Sequence, residues 1–297
     1  MASPLRVLSR NEQLNFLLTN RIPRRLVTRF MGWFSKLENR WLTRCSLFIW
    51  QRFTDIDLSD AVATDYRCLH AVFTRQLRPG ARPVDRRPAV VVSPCDGIVV
   101  ACGDLQGTTL FQAKGFPFEL EDLMPDAGLR EKYRNGRYVT LRLTSAMYHR
   151  FHAPLDCSVR DIHYIAGDTW NVNPVALKRI ERLYCKNERA VIDLQLGQAQ
   201  GGICLVPVAA ILVASIHLHA LAETLDMHYL GPKRIPCNAR YRKGDELGYF
   251  QHGSTLLVFA TREFALHHDL AAGDRLCMGE PLLVNTALPD RDQGLPH

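Results

Sequence analysis

From Leu26 onward apolar residues recur at steps of three and four: Leu26, Phe30, Trp33, Leu37, Trp41, Cys45 and Phe48. That spacing lays them along one stripe of a helix. Arg25, Arg29, Lys36, Arg40 and Arg44 flank the stripe, and Gly32 weakens a single continuous helix in favour of two shorter ones. After Asp55 the pattern changes. Short apolar runs separated by Gly, Pro and Asp, at 89–92, 97–101, 138–143, 190–196, 203–216 and 255–260, predict strands. Helices are expected only in the N-terminal segment, at 118–135 and at 175–184, the last opened by Asn173 as N-cap and Pro174 in the first turn. The expected fold is α+β. It has a mainly antiparallel β core with lipoyl-like or sandwich elements, peripheral helices, and an amphipathic helical segment over 1–54 ahead of a main domain over 55–297.

A chain of 297 residues, 47% apolar and 23% charged, excludes disorder, collagen and coiled coil. The formal charge of +7 is uneven: residues 1–52 hold ten Arg or Lys against Glu12 and Glu38, and the remainder is close to neutral. Three of the four tryptophans (Trp33, Trp41, Trp50) lie in the same segment. Tryptophan beside snorkelling arginine suits a helix lying in a lipid interface. Each basic residue near an anionic leaflet contributes about 1 kcal/mol, so reversible adsorption to an anionic membrane surface is expected. The competing possibility is a helix docked on the protein's own core with its charges in water. Nucleic acid is not expected as a partner, because the bulky apolar residues fit lipid better than a phosphate groove.

Nine cysteines without a C-x-x-C pair argue against a disulfide framework or zinc ribbon and for a reducing compartment. Arginines interrupt the N-terminus where a secretory signal would need an apolar run. The longest apolar tract, 203–216, has fourteen residues and contains Pro207, short of the roughly 20 that span a bilayer. A peripheral protein on the cytoplasmic face of the cell membrane is expected.

Three stretches place reactive side chains beside glycine or proline: Ser-Pro-Cys-Asp-Gly (93–97), Met-Tyr-His-Arg-Phe-His-Ala-Pro (147–154) and His-Gly-Ser-Thr (252–255). Asp, His and Ser are the parts of a proton relay that activates a hydroxyl. Ser254 lacks the G-x-S-x-G elbow, since His252 and Leu256 occupy the glycine positions. Gly253 instead leaves the preceding carbonyl unhindered, which suits attack by Ser254 on its own peptide bond. Taken singly, Gly-Ser-Thr also reads as a turn and Asp96–Gly97 as a hairpin corner. His149 and His152 lack the Glu and further ligands of a metal site, so no metal is expected.

Together these stretches resemble the bacterial phosphatidylserine decarboxylase family. Supporting pieces run in family order over roughly 55–285: Phe-Gln-Ala-Lys-Gly (111–115), Arg-Asn-Gly (134–136), Tyr-Ile-Ala-Gly-Asp (164–168), Asn-Val-Asn (171–173), Lys-Asn-Glu-Arg (186–189), Lys-Gly-Asp-Glu-Leu-Gly (243–248) and Gly-Ser-Thr (253–255). The resemblance implies a proenzyme that cuts itself between Gly253 and Ser254 into 1–253 and 254–297. Asp96, His152 and Ser254 would form the self-cleavage relay, with His152 held by Asp96, and Ser254 would become a covalent pyruvoyl group. That group would bind phosphatidylserine as a Schiff base, with His149 handling a proton during decarboxylation to phosphatidylethanolamine. The two pieces would stay together as a heterodimer, with a dimer of these left open. Two departures stand out: His252 replaces the family's usual Leu, and Ala209 and Ala214 stand where glycines are common, with His217 and His219 just beyond. The rivals are a pyruvoyl decarboxylase for a soluble amino acid or S-adenosylmethionine, a serine hydrolase, and a non-enzymatic membrane adaptor with a lipoyl-like domain.

Overall fold

The computed structural model describes residues 12–20, 22–111, 116–197, 201–212, 215–226, 228–251 and 254–288. The chain opens with helices α1 (Glu12–Asn20), α2 (Arg24–Phe34), α3 (Arg40–Gln51) and α4 (Leu69–Phe73). Next come β1 (Val90–Val92), β2 (Gly97–Asp104), β3 (Thr109–Phe111), β4 (Pro117–Glu119), α5 (Leu120–Leu123), α6 (Ala127–Tyr133), β5 (Arg137–Leu143) and β6 (Arg150–His152). The middle of the chain holds β7 (Cys157–Ile165), α7 (Pro174–Leu177), α8 (Leu183–Lys186), β8 (Arg189–Leu196), β9 (Ile203–Ala209), β10 (Ser215–Leu218) and β11 (Leu225–Asp226). It closes with β12 (Arg234–Tyr241), β13 (Glu246–Phe250), β14 (Ser254–Ala260), β15 (Phe264–Leu266), β16 (Arg275–Leu276) and β17 (Pro281–Asn285).

The core is an eight-stranded sheet in the order β12-β7-β8-β9-β14-β5-β2-β16, with every neighbouring pair antiparallel. Successive side chains on a strand point to opposite faces, and in β14 both faces are buried. Leu256 and Val258 join a core with Phe151, Ile216, Phe250 and Leu282 from the smaller sheets. Leu257 and Phe259 join a second core with Leu123, Tyr133, Leu177 and Leu183 from the helices. A strand covered on both sides reads as one unbroken apolar run, which is how 255–260 appears in the sequence. The first of these cores lies between the large sheet and two others, β11-β10-β13-β6 and β1-β17-β15. The expected α+β class with a mainly antiparallel core is what the chain adopts.

Several boundaries differ from expectation. The run 203–216 is two strands, because the chain leaves the large sheet after Ala209 and enters the small one at Ser215. The helix expected at 118–135 begins as strand β4 and splits at Pro125, beyond which Asp126 caps α6 by accepting the Leu129 N–H at 2.9 Å. The helix expected at 175–184 is likewise two short turns, α7 and α8.

The N-terminal stripe forms two helices, but the break falls at 35–39 and α2 runs through Gly32. Asn39 starts the second helix by accepting the Leu42 N–H at 3.0 Å. The inward face is polar and small. Thr28 and Thr43 are buried, the Thr28 hydroxyl oxygen accepts the Leu212 N–H at 3.2 Å, and the Thr43 hydroxyl donates to the Arg67 carbonyl at 3.1 Å. The apolar stripe faces outward, with Trp33 60% and Trp41 78% exposed and Leu26, Phe30 and Phe48 similarly open. Trp50 is the exception, packing its ring 4.5 Å from that of Phe73. Among the described residues no helix is long and apolar enough to cross a membrane.

Candidate active site

Ser254 is the first residue of β14, in register with Leu143 of β5 and Ala209 of β9. Strand alternation turns its side chain to the face of Leu256 and Val258, where it is fully buried and its hydroxyl has no hydrogen-bond partner among the described residues. Such a group is costly unless something later engages it. The same end of the sheet carries the start of β2, where Asp96 precedes Gly97, since Ile98 pairs with Arg142 next to Leu143.

His152 ends β6, on the sheet facing Ser254's side of the core, and its backbone N–H donates to the Pro94 carbonyl at 2.7 Å. That bond brings the 93–97 and 147–154 stretches together. The imidazole Nδ1 lies 2.9 Å from the Gly244 carbonyl and therefore carries the proton. Nε2 is then free to accept from the Tyr148 hydroxyl at 3.0 Å. Gly244 has φ +89, and a side chain there would meet Val84, so glycine is needed to aim this carbonyl. Burial lowers the His152 pKa below its ordinary value, with the Gly244 hydrogen bond and the charges of Glu246 and Asp96 acting the other way. A neutral, base-ready ring follows.

The expected hydrogen bond between Asp96 and His152 is not made, which corrects the geometry inferred from sequence. Arg82 takes both Asp96 oxygens, Nε at 3.0 and 3.2 Å and Nη2 at 2.7 Å, and the Met278 N–H donates to Oδ1 at 2.9 Å. A guanidinium fork outcompetes an imidazole for a carboxylate. Asp96 acts on His152 as a nearby charge, while Gly244 sets the ring's orientation.

His149 is buried, with its ring edge-on to Phe73 at 6.1 Å and its carbonyl accepting the Phe250 N–H at 2.9 Å. It thereby holds the end of β13, the strand that leads toward Ser254. Gly253, His252 and Ala214, and with them the expected cleavage site, lie outside the described residues, as do residues 112–115 of the Phe-Gln-Ala-Lys-Gly stretch. His217 of β10 and His219 just beyond it lie on the face opposite Ile216 and Leu218: His217 Nδ1 lies 3.1 Å from the Thr224 hydroxyl, and His219 Nε2 lies 2.6 Å from Glu246, which also pairs with Arg150 at 2.6 Å.

Sequence reasoning gave no role to Tyr148, Arg82, Gly244 or Glu188. Tyr148 had a visible signal, its i, i+4 spacing from His152 inside a motif already singled out. Arg82 had none, because nothing in its surroundings in the chain points to Asp96. Glu188 is fully buried with neither carboxyl oxygen hydrogen-bonded among the described residues. Burial and the charge of Asp226 push its pKa up to about 8 although the neighbouring Tyr164 hydroxyl opposes the shift.

A buried serine opening a central strand, a buried imidazole held by Gly244 and Tyr148 at the end of β6, and a carboxylate clamped at the start of β2 define an α+β enzyme-type site. The family model described as phosphatidylserine decarboxylase matches residues 69–284. The chain is 32% identical over 276 residues to the phosphatidylserine decarboxylase proenzyme of Brevibacillus brevis, covering 91% of this chain and 97% of that one. It is 31% identical over 290 residues to the one from Sodalis glossinidius, 91% of each chain. With that of Haemophilus influenzae it shares 32% over 276 residues, 88% of this chain and 92% of the relative. The chain belongs to the phosphatidylserine decarboxylase family.

Proposed function

We propose that this chain is a phosphatidylserine decarboxylase made as a self-cleaving proenzyme. The observation that carries it is the family match over 69–284, within which Ser254 stands buried at a strand start, its hydroxyl unpartnered among the described residues. His152, neutral and aimed by Gly244, takes the Ser254 proton, directly or by way of Tyr148, while Asp96 stabilises the resulting imidazolium as a nearby negative charge. The serine oxygen attacks the Gly253 carbonyl, the peptide C–N bond breaks and an ester forms. Loss of the Ser254 α-proton expels the Gly253 carboxylate and leaves dehydroalanine, and water converts this to a ketone with release of ammonia.

The pyruvoyl group so formed supplies a carbonyl that condenses with the substrate amine and accepts the electron pair left by departing carbon dioxide. The residues fit it: the buried Ser254 side chain has no competing partner among the described residues, and Ala209 and Leu143 flank it with small or apolar surface. His149, buried in the stretch beside the end of β13, steers the proton that replaces the carboxylate.

The two pieces remain a heterodimer because 254–297 contributes β14 between β5 and β9, β16 on β2 and β17 on β1. The Asp96 contact to Met278 adds a buried tie across the cut. Residues 1–54 act as the membrane-surface segment of a catalytic domain over 55–297, an assignment supported by the outward apolar stripe on α2 and α3. Nine unpaired thiols suit the cytoplasmic face. Mass spectrometry of the purified protein tests this. Wild type should give two polypeptides that stay associated, the smaller starting with a pyruvoyl group, and Ser254→Ala should stay whole and inactive. An intact chain in active wild-type protein defeats the proposal.

A further inference from the structure

A cavity of about 280 Å³ opens between α2 and the end of the large sheet, lined by Arg25, Arg29, Tyr164, Gly167, Glu188 and His228. It lies on the serine side of the sheet. Glu188 continues the alternation of Ala190, Ile192 and Leu194, which face the same core as Leu256 and Val258. Its carbonyl accepts the Ala209 N–H at 2.8 Å, and Ala209 is the register partner of Ser254. The small sheet spans the gap as well, with Asp226 of β11 beside the cavity at one edge and His152 of β6 at the other.

The arginines are held in place by the rest of their helix. Arg24 pairs with Asp168 at 2.6 Å and stacks 3.5 Å over the Trp170 ring, and Thr28 takes the Leu212 N–H. Arg25 and Arg29, one turn apart, have no ion pair or hydrogen bond among the described residues. Like charges at that spacing repel each other, so the pair calls for an anion. At 100° per residue, the Arg25–Arg29 line falls between the docked face of Arg24 and Thr28 and the exposed face of Leu26, Phe30 and Trp33. Of the acidic neighbours, burial pushes the Glu188 pKa up to about 8 and so favours its neutral form at pH 7, and Asp226 lies 3.8 Å from His228.

We infer that Arg25 and Arg29 anchor the phosphodiester of the lipid headgroup at the mouth of this cavity, with its amino-acid end directed inward past Glu188 toward Ser254 and its acyl chains left along the apolar face of α2. This rests on the decarboxylase proposal. The cavity's size agrees with it, since a space of about 280 Å³ admits a headgroup and excludes the chains, where pockets for whole drug-sized ligands begin near 300 Å³. Helix α2 is thereby part of the substrate site as well as a surface-binding element.

The test uses dihexanoylphosphatidylserine below its micelle concentration, so that adsorption to a surface plays no part. Arg25→Gln/Arg29→Gln should cleave itself as completely as wild type. Its KM should rise by roughly tenfold or more, as expected for losing charge-assisted hydrogen bonds, with kcat within about twofold. Arg40→Gln/Arg44→Gln, which alters exposed arginines paired among the described residues only with Asp65, should leave KM unchanged. Glycerophosphoserine should compete for the wild-type site far better than inorganic phosphate and lose that advantage in the Arg25/Arg29 variant. An unchanged KM in a fully cleaved variant, or equal competition by inorganic phosphate, overturns the inference and leaves the decarboxylase proposal standing. A wild-type chain that never cleaves removes that proposal instead.

Discussion

Replacing Arg82 by Met separates two roles for Asp96. The structure has Arg82 gripping the Asp96 carboxylate through three contacts of 2.7 to 3.2 Å, with the two side chains only 18% and 9% exposed. Removing one partner of such a pair costs about 3–5 kcal/mol, because the other charge stays buried. The Met278 N–H still donates to Asp96 and offsets about 1 kcal/mol of that, leaving an expected loss of about 2–4 kcal/mol. In a Ser254→Ala background, where the chain stays whole, this should lower the melting temperature by roughly 4–16 °C, at about 2–4 °C per kcal/mol for a protein this large. Adding Asp96→Asn to Arg82→Met removes the orphaned charge and should recover at least half of the loss. With Ser254 restored, Arg82→Met should also cleave more slowly, since Asp96 is no longer fixed where its field supports His152. A melting temperature equal to the parent's, or a double variant no better than Arg82→Met, would refute the clamp. Faster cleavage would mean that Arg82 competes with His152 for the carboxylate.

Three further outcomes follow from the same geometry. The His152 pKa is lowered by burial, so the neutral base dominates at pH 7. Self-cleavage should be flat above about pH 6.5 and slow only as the medium becomes more acidic, and a rate still climbing between pH 7 and 9 rules this ring out as the base. Glu188 has its pKa raised from 4.5 to about 8, so the folded chain binds its proton more tightly than the unfolded chain. Stability should fall as pH rises across that window, by a few kcal/mol at most. Glu188→Gln in the Ser254→Ala background should flatten the curve, and parallel wild-type and variant curves would count against a neutral buried acid. Trp33→Ser/Trp41→Ser removes two exposed rings and should weaken sedimentation with anionic vesicles by roughly tenfold or more, leaving cleavage intact; unchanged sedimentation would dismiss the stripe as a lipid contact.

Strands buried on both faces, such as β9 and β14, were legible because their apolar runs are continuous. Half-exposed β12 was not, since its alternation is carried by Ile235, Cys237, Ala239 and Tyr241 among charges and Pro236. The periodicity at 26–48 correctly gave helices but could not give their orientation. A stripe that fits a core and one that fits a membrane have the same spacing, and the decision rests on Thr28 and Thr43, whose hydroxyls bond to the body. At the site, the catalytic candidates were readable as local motifs. Arg82 and Gly244 were hidden because their partners, Asp96 and His152, lie 14 and 92 positions away along the chain, and pairing at that separation is a property of topology.

Most chain ends are mobile unless something ties them down. The end that the proposed cut would create at Ser254 begins between two hydrogen-bonded neighbours, with Leu143 on one side and Ala209 on the other, so it would be born rigid. A reactive carbonyl mounted there would need no ordering when substrate arrives. On that proposal, arming the enzyme would also wait for folding, because the position that aims the nucleophile exists only after an interior strand has been threaded into place.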